Sequence, residues 1–244
     1  MSQLIDPTFV VDCACVIHGT TYDWSYVEKL HSMLTRNFSY PIRLHVFTEI
    51  ERDVPPHMVK HVLKPWQNIS GPRRAWWYKM QMFNPKHFAG RLLYFDLDVL
   101  IIRNLDWMLA MPSEHFCTIR DFRHLWKPNW RTINSSIMLW NTHRFKHIWE
   151  GFNKQPINEL VQKYPGDQDY LTAMIDLAAI RFFSTESVQS WRWQVLDGGM
   201  DMKTKLHRSP GKGATITPDL SVVVFHGRPK PQDIKDPFVI NNWR

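Results

Sequence analysis

The chain has 244 residues, 44% of them hydrophobic and 14% aromatic, and its 30 Lys and Arg outweigh 23 Asp and Glu to give a net charge of +7. That is enough apolar material for one α/β domain with a large core, or for two small ones. Three cysteines without a framework exclude a disulfide-rich secreted fold. There is no basic-then-apolar leader and no apolar run of about 18 residues, so a soluble, cytoplasmic protein is expected. The positive charge suits an anionic partner such as a nucleotide phosphate, a nucleic acid or an acidic polymer, or is simply a basic surface. Twelve tryptophans are a high count, and surplus tryptophan often lines sites for rings or sugars.

From the N-terminus, residues 9–17 are apolar and β-branched and predict the first strand, with Cys13 and Cys15 inside it as buried small hydrophobes. Residues 19–23 read as a loop. Tyr26, Val27, Leu30, Met33 and Leu34 recur at helical spacing, which predicts a helix over 24–36, and a second strand follows over 42–47. This βαβ opening implies a parallel sheet with a right-handed crossover. Ligands in such sheets sit beyond the carboxyl ends of the strands, so Tyr22 lies where a base or sugar would be, unless it is an ordinary surface tyrosine. Residues 51–72 read as irregular. Residues 73–83 read as a helix in which Lys79 either pairs with phosphate or snorkels to water.

Residues 91–102 form, after Arg91, an apolar run broken by Asp96 and Asp98. The run reads as a strand buried on both faces, where a carboxylate normally needs a partner or a metal. Side chains at i and i+2 of a strand point the same way, so the two carboxylates converge if the strand ends there. Two hard oxygen ligands beside phosphate and water suit Mg²⁺ or Mn²⁺. The plainer reading is that one Asp caps a turn and the other is solvated. A short helix is expected near Asn104, a strand over 115–120, a loop of Trp and basic residues over 121–130, and a core strand over 133–141 entered through Asn134, Ser135 and Ser136. A helix over 142–152 follows. Asp167, Gln168 and Asp169 open another, running to about 178; capping and the helix dipole account for the acids and leave Gln168 unexplained. Short strands at 180–183 and 187–193, a mobile basic loop at 198–217 and a last strand at 221–225 complete the chain. That strand delivers His226, Gly227, Arg228 and Lys230, a set suited to metal and phosphate, although a lone His is mostly structural.

In this order the stretches resemble the retaining glycosyltransferases of the GT-A fold, in particular the glycogenin-like and galactosyltransferase-like family 8. Leu93-Tyr94-Phe95-Asp96-Leu97-Asp98 looks like that family's Asp-x-Asp motif. Residues 133–139 look like its Asn-Ser/Ala-Gly-Val strand, Gly166-Asp167-Gln168 like its Asp-Gln segment, and residues 225–231 like its terminal His-x-x-Gly-x-x-Lys-Pro motif. The resemblance spans about residues 9–231. It implies one α/β domain over 1–244 with a Rossmann-like, mostly parallel sheet flanked by helices. It implies a hexosyltransferase moving a sugar from a nucleotide-sugar, UDP-linked, to an acceptor hydroxyl with retention, in glycan or polysaccharide synthesis. By the same resemblance Asp96, Asp98 and His226 hold Mn²⁺ or Mg²⁺, and Tyr22 stacks on the base. Lys79 faces phosphate or donor sugar. Asn134, Ser135, Asp167 and Gln168 contact sugar hydroxyls, the last two as catalytic residues. Gly227 and Lys230 hold the β-phosphate end. Two features depart from the pattern: Gly227 follows His226 directly with Lys230 four residues on, and Ser135-Ser136 replaces a small-then-Gly pair.

A metal ion and Lys neutralise charge developing on the departing diphosphate, and nearby oxygens stabilise an oxocarbenium-like sugar. No close Asp/Glu pair is evident for double displacement, so a same-face reaction is expected. Three rival readings remain. The acceptor could be DNA or RNA, held by the 203–212 loop and the Trp-rich 126–130 segment. The paired Asp could serve a nucleotidyltransferase. The chain could also be a metal-free nucleic-acid binder. Otherwise the acceptor is a saccharide or a lipid-linked sugar.

Overall fold

The computed structural model describes residues 9–66 and 75–244. Its strands are β1 (Val11–Val16), β2 (Ile42–Thr48), β3 (Val59–Val62), β4 (Arg91–Phe95), β5 (Val99–Ile101), β6 (Phe116–Arg120), β7 (Ile133–Asn141), β8 (Ile180–Phe182), β9 (Val188–Ser190) and β10 (Val222–Val224). Its α-helices are α1 (Ser25–Asn37), α2 (Asp106–Leu109), α3 (Lys146–Asn153), α4 (Ile157–Lys163), α5 (Asp167–Met174) and α6 (Pro237–Asn242). A seven-stranded sheet runs β3-β2-β1-β4-β7-β6-β8, and a three-stranded sheet runs β5-β10-β9. In the large sheet the pairs among β3, β2, β1 and β4 are parallel, as is β6 with β8. β7 runs antiparallel to both its neighbours.

The central strands are apolar throughout because both faces are covered. Cys13 and Cys15 of β1, Leu93 and Phe95 of β4, and Ile137 and Leu139 of β7 point into one layer, packed under α1 and the small sheet. Ala14, Leu92, Tyr94, Met138 and Trp140 point into the other, packed under α3, α5 and the turn over Ala75–Phe83. The three thiols are buried and free, and burial pushes that of Cys117 up to about 11. α1 buries Tyr26, Val27, Leu30, Met33 and Leu34, the stripe that the spacing predicts.

Several elements differ from the sequence expectation. The run over 91–102 is two strands in two sheets, β4 and β5, and the chain turns at residues 96–98. The segment after residue 74 is a 3₁₀ helix, buried from Trp77 to Phe83; Arg73 and Arg74, expected to begin it, lie outside the described residues. Residues expected to be irregular contain β3, a half-exposed edge strand paired with β2. The strand expected over 187–193 stops at Ser190, where its hydroxyl accepts the Trp193 N–H and the chain coils through Trp191–Val195. The helix from Asp167 ends at Met174, and a short 3₁₀ turn follows at Leu177–Ala179. α4 and α6 have no counterpart among the predicted elements. No helix among the described residues is long and apolar enough to cross a membrane.

Candidate active site

Four chain ends converge on one edge of the large sheet. The first is the loop after β1, where Glu49 at the end of β2 accepts the Gly19 N–H and pairs with Arg52 at 3.1 Å. The second is the turn between β4 and β5: Asp96 N–H donates to the Ser136 carbonyl at 2.8 Å. The third is the end of β10, where Phe225 N–H donates to the Asp98 carbonyl at 3.1 Å and so delivers His226 and Gly227 beside the acids. The fourth is a break in the β6–β7 ladder. Thr118 pairs with Met138 and Ile119 with Asn134, so residues 135–137 have no partner on β6. The Thr118 hydroxyl donates to the Asn134 and Ile137 carbonyls and closes the gap. Such bulges re-aim side chains, and this one turns Asn134 and Ser135 toward the acids.

Asp96, Asp98 and Asp167 share two ammonium groups. Lys79 Nζ lies 2.7 Å from Asp96 Oδ1 and 3.5 Å from Asp167 Oδ2. Ser135 Oγ donates to Asp167 Oδ2 at 2.6 Å, and Tyr94 OH donates to Asp96 Oδ1 at 2.5 Å. Lys230 Nζ donates to Asp98 Oδ2, and Tyr22 OH donates to the same oxygen at 3.0 Å. Burial works against the Lys79 charge, but Asp167 and Asp96 outweigh it and raise its pKa. For Asp96 burial is likewise the largest influence, opposed by Lys79, Tyr94 and Ser136, and the net shift is downward. Asp98 is raised, by burial and then by Asp96, against the pull of Lys230 and Tyr22. With all groups ionised, three carboxylates against two ammoniums leave one surplus negative charge in a poorly solvated place.

One cavity opens from this floor, and a second meets it at Gly227. One, of about 380 Å³, is lined by Val16, His18, Thr21, Tyr22, Trp76, Lys79, Tyr94, Asp96, Asp98, Gly227 and Lys230. The His18 ring stacks on Tyr78 with centroids 3.8 Å apart. The other, of about 400 Å³, is lined by Asp121, Phe122, Arg123, Trp126, Asn134, Gln168, Arg192, Trp193, His226 and Gly227. Gly227 is the shared wall. Its φ is +74°, a left-handed conformation that suits glycine, and open space surrounds the place a Cβ would take.

In the second cavity Gln168 Nε2 donates to Asp121 Oδ2 at 3.1 Å, which accounts for the residue that capping left unexplained. Asn134 Oδ1 accepts the Ser136 N–H at 2.9 Å, so its amide NH₂ is the group left to face a ligand. His226 Nε2 lies 2.6 Å from Ser190 Oγ, and its ring stacks on Phe122 at 4.9 Å. Burial is the main reason its pKa falls to about 4; Asp121 opposes that shift, while Arg192 and Lys230 add to it. The ring is therefore a neutral imidazole at pH 7.

The first cavity thus unites Tyr22, Lys79, Asp96, Asp98, Gly227 and Lys230. The shortened terminal motif still brings Lys230 to the acids. The second cavity unites Asn134, Gln168, His226 and Gly227. Ser135 and Asp167, expected against sugar hydroxyls, line neither cavity; both are buried against Lys79, whose charge needs them. Tyr22 keeps its ring in the cavity and spends its hydroxyl on Asp98. Asp121, Tyr94, Arg192 and Trp193 were not singled out from the sequence. Asp121 follows directly on a predicted strand, and Tyr94 precedes Asp96 at strand spacing, so position alone could have marked both.

Among the described residues, no three His, Cys, Asp or Glu side chains gather at metal-ligand spacing. His226 stands with Ser190 and Phe122, outside the hydrogen bonds of the acids. The surplus negative charge and the hard oxygens of Asp96 and Asp98 nevertheless fit a divalent ion such as Mn²⁺ or Mg²⁺.

No family profile matches the chain, and no curated protein sequence does. Solved structures do match. The galactosyltransferase LgtC, in complex with donor and acceptor sugar analogues, aligns over 95% of this chain and 93% of its own at 12% identity, with a TM-score of 0.60. The glycosyltransferase GlyE of Streptococcus pneumoniae TIGR4, in its apo form, aligns over 96% of this chain and 59% of its own at 13% identity, with a TM-score of 0.64. Mouse xyloside xylosyltransferase 1 aligns over 89% and 98% at 14% identity, with a TM-score of 0.54. LgtC has also been solved as an active-site variant with Gln replaced by Glu. The chain has the GT-A glycosyltransferase fold. At these identities the likeness is one of fold.

Proposed function

We propose that the chain is a glycosyltransferase that takes a sugar from a nucleotide-sugar donor, UDP-linked, and passes it with retention to an acceptor hydroxyl in glycan or polysaccharide synthesis. The observation that carries this reading is the junction at Gly227. On one side lie paired carboxylates and lysines suited to a diphosphate with its cation, and on the other amide, imidazole and aromatic groups suited to a sugar. The neighbour solved with donor and acceptor sugar analogues supports a nucleotide-sugar and a saccharide as partners.

In this reading base and ribose lie along His18, Thr21, Tyr22 and Trp76, and the diphosphate sits over Asp96, Asp98 and Lys230. A divalent ion bound there supplies positive charge to the departing diphosphate. Lys230 adds a second positive charge at the same end, and Lys79 keeps Asp96 ionised. Asn134 and Gln168 offer amide groups to the donor sugar. His226 stands in the wall beside Gly227, and binding an ion through Nε2 would take that nitrogen from Ser190. The acceptor oxygen bonds to C1 of the donor sugar as the C1–phosphate oxygen bond breaks, and the acceptor proton leaves with the nucleoside diphosphate on the same face. LgtC has a Gln in its active site, which supports an active-site role for Gln168.

The test is a thermal-stability screen with UDP and a panel of nucleotide-sugars, with and without Mn²⁺. A ligand of the folded state raises the midpoint as RT ln(1 + [L]/Kd). UDP with Mn²⁺ should raise it, and Asp98→Asn should remove the Mn²⁺-dependent part. Slow release of free sugar from the matching donor should follow, with the anomer retained by NMR. Pyrophosphate release from a nucleoside triphosphate, or no response to any nucleotide, would refute the reading; an inverted anomer would refute retention alone.

A further inference from the structure

The two-tryptophan wall of the second cavity is shared with a third space that the donor reading does not use. Trp126 and Trp193 meet with ring centroids 5.1 Å apart and planes tilted by 56°, and both rings line both cavities. The outer cavity, of about 170 Å³, is completed by Gln194, Met200, Met202 and Arg208. Rings in contact at that angle form a corner. It offers a sugar's C–H face one flat wall and leaves no slot between the rings for stacked bases.

The charges lining this corner without an ion-pair partner are basic; Asp121, the one carboxylate of the inner lining, is paired with Arg123. Arg208 is the one charged residue of the outer lining. Arg192 stands on the inner side of the same wall, and Lys205 Nζ lies 5.8 Å from the Trp193 centroid. Among the described residues, no carboxylate lies within ion-pair distance of Arg192 or Arg208. Asp201 feels the Arg208 charge; its Oδ1 accepts the N–H groups of Lys203 and Thr204, and it forms no ion pair with Arg208. Arg123, by contrast, is already paired with Asp121 at 3.2 Å. The wall is held in place by backbone: a Cβ on Gly199, whose φ is +90°, would lie 2.2 Å from the Trp193 carbonyl oxygen. A guanidinium without a partner, beside an aromatic wall and a Gln side chain, is the donor set that recognises an anion on a sugar ring.

We propose that the acceptor is a saccharide bearing an anionic group, its ring stacked on the Trp126–Trp193 corner and its phosphate or carboxylate held by Arg208. This rests on the glycosyltransferase reading for its role, since the acceptor hydroxyl must reach the inner cavity from that corner.

The test is a titration of the whole chain, read by tryptophan fluorescence, with glucose 6-phosphate, trigalacturonate, neutral maltotriose and a single-stranded oligonucleotide. At least one anionic sugar should bind at least tenfold tighter than maltotriose, and which one does so separates phosphate from carboxylate. Arg208→Gln should erase that difference, and Arg208→Lys should keep part of it. Equal affinities for charged and neutral sugars, or a preference that survives Arg208→Gln, would overturn the proposal. So would tighter binding of the oligonucleotide. A parallel titration of the wild-type chain with UDP and Mn²⁺ reads the donor cavity by itself. If UDP binds and anionic sugars show no preference, this proposal fails and the donor reading stands. If anionic sugars bind selectively and UDP does not, the acceptor role fails with the donor reading.

Discussion

Replacing Lys79 by Met keeps the length of the side chain and removes its charge. In the native chain that charge sits 2.7 Å from Asp96 and 3.5 Å from Asp167. At an effective dielectric of about 20 these contacts are worth roughly 6 and 5 kcal/mol before the cost of burial. Removing one partner of a buried pair typically destabilises by about 3–5 kcal/mol, because uncompensated charge stays behind. For a chain of this size that corresponds to a midpoint lower by roughly 6–20 °C. The loss should also depend on pH. With Lys79 in place the folded pKa of Asp96 is lowered, so its stabilisation is present above the unfolded carboxylate range and fades as pH falls through the folded value. Without Lys79, burial is the main influence left and pushes that pKa up. A raised carboxylate stabilises the fold below its unfolded pKa and loses that effect as pH rises. The gap between wild type and Lys79→Met should therefore be widest near pH 7.5 and close toward pH 4. Denaturant unfolding at several pH values measures it, and adding Asp96→Asn should recover about 1 kcal/mol or more. A cost under about 1 kcal/mol at pH 7.5, or a gap that does not shrink with acid, would refute the assigned pairing.

Three further outcomes follow from named contacts. Gly199→Ala places a methyl against the Trp193 carbonyl at a positive φ, so it should cost at least about 1–3 kcal/mol and shift the tryptophan emission; an unchanged melting midpoint would contradict the packing. Ser190→Ala removes the hydroxyl 2.6 Å from His226 Nε2 and should cost about 1 kcal/mol in denaturant unfolding, a loss that Ser190→Thr should partly spare. His61 and His226 each titrate at about 4 in the folded chain, chiefly through burial, and His45 and His87 add to the shift at His61. A lowered histidine pKa contributes stability that is complete above the unfolded value of about 6.5 and is lost as pH falls toward the folded one. Stability should therefore decline from about pH 6.5 toward pH 4, and His61→Gln should flatten that decline; an identical pH profile would exclude His61 as its source.

Part of the candidate site's outline could be read from residue order, because Asp96, Asp98, His226 and Lys230 follow apolar strands. Asp96 and Asp98 stood out as charges inside a hydrophobic run, and His226 and Lys230 followed the last such run. What failed were features with no local signature. The break between β4 and β5 has no apolar gap of its own, since Leu97 in the turn is buried like Phe95 and Val99 of the flanking strands. The contacts of Ser135 and Asp167 with Lys79 join residues far apart in the chain, 56 residues in the case of Ser135. Asp121 was passed over as part of a basic loop. Its partner Gln168 lies 47 residues away, and nothing in either neighbourhood announces the pairing.

Sequence alone determined most of the strands of the large sheet and the buried face of α1, because the side-chain periods of strand and helix are local geometry. It also determined that charged groups cluster where those strands end. Only the tertiary structure decided which acid meets which lysine, that Ser135 and Asp167 serve Lys79, and that Trp126 and Trp193 form one wall between two cavities. Those pairings are set by the low dielectric of a closed interior, where a charge takes whatever partner the fold brings within a few ångströms.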